Sequence, residues 1–74
     1  MISDEELFDV IRVAAETSPL CEGAIPFNAI CREVKNRYGR FNAEGIEFRI
    51  RHFDEVGVLK AAFLDGMLIG VKPL

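Results

Sequence analysis

No apolar run in this chain approaches the roughly 18 to 20 residues a membrane helix needs, because charged residues interrupt every hydrophobic stretch. The N-terminal residues Met1-Ile2-Ser3-Asp4-Glu5-Glu6 lack the basic charge of a signal or transit peptide, so a soluble, cytoplasmic protein without membrane contact is expected. Histidine is limited to His52 and cysteine to Cys21 and Cys31, with no C-x-x-C, which leaves too few ligands for a zinc site. The two thiols read as small buried groups in the reduced state, with a mutual disulfide left open. There is no G-x-x-x-x-G-K phosphate loop, and no nucleophile stands beside a base. His52 reads as exposed helix filler, and the pairs Glu44/Glu47 and Asp54/Glu55 as exposed helix surface. The expectation is a protein with no catalytic residue, no metal and no cofactor. Linkers, repeats and low-complexity segments are also missing, so the 74 residues, 1–74, read as one domain with one small core.

Within that length the order of elements is legible. Ser3 can cap a first helix while Glu6 reaches back to its amide in a capping box, and Ile2 with Leu7 forms a hydrophobic staple. Asp4, Glu5 and Glu6 suit the positive end of the helix dipole. Leu7, Val10, Ile11, Ala14 and Ala15 repeat at helical spacing, so this helix runs to about Glu16. Thr17-Ser18-Pro19 breaks the pattern, Glu22-Gly23 marks a turn, and Ala24-Ile25 reads as a stub of strand. Pro26 opens a second helix with Phe27, Ile30, Cys31, Val34 and Tyr38 on its buried side, ended by Gly39.

A third helix follows after a short turn. It begins at Asn42, with Phe41 and Ile46 as a staple, buries Ile46, Ile50 and Phe53, and stops at Gly57. Lys60 to Leu64 and Met67 to Val71 then form a hairpin around Asp65-Gly66, the preferred pair for a type I′ turn, and Pro73 stops the second strand. The expected fold class is α+β, a three-helix core with a C-terminal β-hairpin.

Charge is unevenly spread along the chain. Residues 1–31 hold one arginine against six acids, residues 32–52 hold six Lys/Arg against three acids, and residues 53–74 hold two lysines against three acids; the total is −3. Cationic charge confined to the central segment points to an anionic partner there.

The segment Asn42-Ala-Glu-Gly-Ile46-Glu-Phe-Arg49-Ile50-Arg51-His-Phe53-Asp-Glu55-Val-Gly57-Val-Leu59, set within this order of elements, resembles the winged-helix branch of the helix-turn-helix superfamily, MarR-like regulators nearest. The resemblance implies that the helix at 42–56 lies in the DNA major groove and the hairpin, or wing, touches the flanking backbone. It carries base-facing positions onto Ala43, Glu44, Glu47, Phe48 and Arg51. Two of these five are acids, and the wing tip Asp65-Gly66 has no cation.

Two functions follow as expectations. In the first, the chain is a small transcriptional regulator that binds double-stranded DNA through Arg32, Lys35, Arg37, Arg40, Arg49 and Arg51; the alternative for these cations is a solvated face, with those of the second helix complementing its negative C-terminal dipole. In the second, it is a winged-helix protein-interaction module, an adaptor or accessory subunit docking on a larger protein. Phe48 lies about 200° round the helix from Ile46 and Ile50 and cannot share their buried stripe; it reads as packed under a neighbouring loop, as a contact to a protein partner, or as a contact to a thymine methyl. The hairpin, apolar on both faces, favours the second function. Regular pairing would put Leu64 with Met67, Ala62 with Ile69 and Lys60 with Val71 on one face, and Phe63 with Leu68 and Ala61 with Gly70 on the other. With Phe63 and Leu68 in the core, Leu64, Met67 and Ile69 become the candidate partner interface. A homodimer would serve either function and would use the hairpin edge or the first helix.

Overall fold

Ser3 makes the expected box: its hydroxyl accepts from the Glu6 amide at 3.1 Å, and the Glu6 carboxylate accepts from the Ser3 amide at 2.8 Å. It starts α1 (Asp4–Thr17), in a computed structural model that describes residues 2–20 and 23–72. Leu7, Val10, Ile11 and Ala14 are buried along one side of this helix, and Ile2 packs partly against the same core. After Gly23 comes β1 (Ile25–Pro26), which leads directly into α2 (Phe27–Tyr38). Gly39 ends α2 in the left-handed region at φ 80°, its amide donating to the Lys35 carbonyl at 2.8 Å.

The Asn42 side chain accepts from the Gly45 amide at 3.2 Å and opens α3 (Ala43–Glu55), which buries Ile46, Ile50 and Phe53. At the far end the Val58 amide reaches back to the Phe53 carbonyl at 2.9 Å, with Gly57 at φ 80° permitting the reversal. The stacked rings of Phe8 and Phe53, 4.7 Å apart, tie α3 to α1. Strands β2 (Lys60–Leu64) and β3 (Met67–Lys72) close the chain. The turn between them holds Asp65 at φ 51° and Gly66 at φ 79°, the two positive angles of a type I′ turn. The three strands form an antiparallel sheet in the order β1-β3-β2, so the fold is a small α+β domain of three helices and a three-stranded sheet.

Three expectations are corrected. Leu64↔Met67 and Phe63↔Leu68 pair as read, but the register then shifts, giving Ala62↔Gly70, Ala61↔Val71 and Lys60↔Lys72. The extra residue in β3 is a bulge at Ile69–Gly70, which brings both Leu68 and Val71 to the core face beside Ala61; uninterrupted alternation would have turned Val71 outward. Phe63 is not a core residue but 41% exposed. Tyr38, expected on the buried side of α2, is exposed and donates its hydroxyl to Glu6 at 3.2 Å, because a core this small ends one turn earlier at Val34. The turn at Glu22, the thiol of Cys21 and the stop at Pro73 lie outside the described residues. Cys31 is buried with a free thiol, and burial pushes its pKa up from 9.0. No helix among the described residues is long and apolar enough to cross a membrane.

Candidate functional site

The cations expected to meet DNA divide into two groups. Arg37 donates to Asp9 at 2.7 Å and to Glu33 at 2.8 Å, bridging α2 to α1, and these carboxylates raise its pKa, Asp9 most. Arg49 donates to the Ile2 carbonyl at 2.7 Å and to the Asp4 carboxylate, pinning the start of α1 onto α3; only 18% of its side chain is exposed. Arg51 donates to Glu47 at 2.9 Å and to the Gly66 carbonyl at 3.0 Å, with its guanidinium carbon 4.9 Å from the centre of the Phe63 ring. Arg32, Lys35 and Arg40 are exposed and make no ion pair with any described residue. The structure therefore splits the cluster that looked continuous in sequence.

Three of the four apolar candidates stand in solvent. Phe48 is 74% exposed, Met67 70% and Leu64 63%. Ile69, the residue added by the bulge, is set apart from them and lines a shallow crevice with Pro26, Phe27 and Asn28. Phe48 and Arg51 are neighbours on α3, three residues apart. Through Arg51, one turn beyond the exposed Phe48, the helix grips the exposed hairpin tip at Gly66.

Beside Phe48 the surface opens into a groove of about 1030 Å³ between the start of α1, the end of α2 and the start of α3. Ile2, Val34, Tyr38, Phe41, Ile46 and Phe48 supply its apolar lining. Its two carboxylates are already engaged, Asp4 by Arg49 and Glu6 by the Ser3 amide and the Tyr38 hydroxyl; those hydrogen bonds, Ser3's first, hold the Glu6 carboxyl below its ordinary range. Arg40 is the lining charge without an ion-pair partner among the described residues.

Neither this groove nor the hold of Arg51 on the hairpin was foreseen from sequence. A signal for the second does exist. Glu47 and Arg51 stand four apart on α3, a spacing that orients the guanidinium, and the hairpin that follows offers an aromatic ring and a turn carbonyl. Among the described residues no three His, Cys, Asp or Glu side chains are grouped to hold a metal ion. Comparison with family models, curated proteins and solved structures finds no match for this chain.

Proposed function

We propose that the chain is a non-catalytic winged-helix domain that works as a protein-interaction module, docking through α3 and the tip of the hairpin. The element order α1-β1-α2-α3-β2-β3, with the hairpin strands continued by β1 into one sheet, supports the winged-helix reading. One observation carries the choice of partner. The cations of α3 are spent inside the molecule, Arg49 on the start of α1 and Arg51 on Glu47 and the wing, while Phe48 stands in solvent. A helix meant for the major groove keeps its guanidinium groups for phosphates and base edges. Here the unspent charge on the outer side of α3 includes Glu44, and the wing tip carries Asp65. A surface with an exposed aromatic, two long aliphatic side chains and few free charges matches the centre of a protein interface.

The competing reading is a DNA-binding regulator resting on Arg32, Lys35 and Arg40. Three phosphate contacts would give its binding a logarithmic salt slope of roughly −3. A backbone NMR titration with a mixed pool of short DNA duplexes at low salt, repeated at about 0.2 M salt, separates the two. The expected spectra do not change with DNA at either salt. Shifts concentrated in residues 32–52 that disappear in the higher salt would overturn the protein-docking reading.

A further inference from the structure

The groove and the wing tip complement one another. The groove is apolar along the walls formed by Phe41 and Phe48, and its one cation without an ion pair among the described residues is Arg40. The tip is a narrow projection whose exposed side chains are Leu64, Asp65 and Met67, an acid flanked by two apolar groups, and Asp65 has no ion-pair partner among the described residues. Within one molecule the tip cannot reach the groove, because Arg51 holds it by the Gly66 carbonyl one helical turn beyond Phe48.

From this we infer that the partner of the docking face is a second copy of the chain: the wing tip of each protomer enters the groove of the other, with Leu64 and Met67 against Phe41 and Phe48, and Asp65 facing Arg40. The inference rests on the protein-docking reading of α3 and the hairpin. A two-fold axis that makes both contacts at once closes the assembly as a dimer instead of letting it grow into a filament. Each contact then occurs twice. The Arg51 clamp contributes by fixing the tip before association, so little loop freedom is lost on docking.

Sedimentation equilibrium of the full chain over a wide concentration range tests this, together with a double-mutant cycle on the charge pair. Asp65→Asn keeps a residue that tolerates positive φ, and Arg40→Gln changes an exposed side chain, so both variants retain the fold. The wild type is expected to dimerise. Each single variant should raise the dissociation constant about tenfold, since the pair is counted twice, and the double variant should be no weaker than either alone. Phe48→Ser should raise it about a hundredfold. A chain that stays monomeric into the millimolar range, or a dimer whose charge variants act additively or not at all, overturns the pairing. Either result leaves the protein-docking reading to be judged by the DNA titration, in which Arg32 and Lys35 lie outside the proposed dimer contact.

Discussion

At position 70 the side chain is a single hydrogen, and the sheet depends on it. A Cβ there would lie 2.3 Å from the Ile25 carbonyl oxygen and 3.1 Å from its carbon, both backbone atoms of β1 that cannot turn aside. Gly70→Ala should therefore cost about 1–3 kcal/mol, read as a lower midpoint in urea unfolding, with β1 and β3 pushed apart. Gly45, in the first turn of α3, makes the contrast. A Cβ at that position meets nothing closer than the Asn42 side chain at 3.6 Å, so Gly45→Ala should stabilise by up to about 1 kcal/mol in the same assay. The sequence marks the two glycines no differently. The need for Gly70 arises from β1, far back in the chain, as the pairing Pro26↔Gly70 shows, and no local pattern carries that information. Caps are the opposite case: Ser3 with Glu6, Asn42, and Gly39 each act within four residues, and each was legible.

Among the elements, the hairpin is the one most dependent on a neighbour. Two side chains of α3 hold it, Arg51 at the Gly66 carbonyl and Asp54 at the Ala61 amide, 3.1 Å away. The second bond also occupies an outward-facing donor on β2, an edge strand of the sheet. Asp54→Ala leaves the Ala61 amide without its acceptor, at a cost of about 1–3 kcal/mol. Hydrogen exchange should then quicken across β2 and β3 while α1 keeps its protection, and Asp54→Asn, which still offers an oxygen, should restore most of the difference. The helices were readable because an amphipathic repeat and a cap are both written locally. The hairpin turn was readable for the same reason in Asp65-Gly66. Its register beyond Phe63 was not, because the bulge answers to a demand of the core, the burial of both Leu68 and Val71, and no strand shows by itself which of its faces must be covered twice. The same holds for the groove, which exists only once three elements meet.

Across the whole molecule, α1 and α2 are joined at the surface by carboxylates with fixed partners: Asp9 with Arg12 and Arg37, and Glu6 with Ser3 and Tyr38. These partners hold both carboxyls below their ordinary values of 4.5 for Glu6 and 3.8 for Asp9, the chief cause being the Ser3 backbone bond for Glu6 and the Arg12 bond for Asp9. A carboxyl lowered in the folded state adds stability that is present above its ordinary value and is lost as pH falls through the lowered one. The melting temperature should accordingly be level from neutral pH down to about 5 and fall below that. Glu6→Gln and Asp9→Asn should each shrink the acid-side drop. Added salt should weaken the same joins only slightly, because exposed pairs are already well screened. The pairing of Ile25 with Val71 has a different kind of consequence. During synthesis the ribosome releases α1, β1 and α2 long before residue 71 emerges, and β1 has no strand to join until then. The sheet therefore closes only after nearly all of the described chain has left the exit tunnel, and until then α1, β1 and α2 wait without the strand that completes their core.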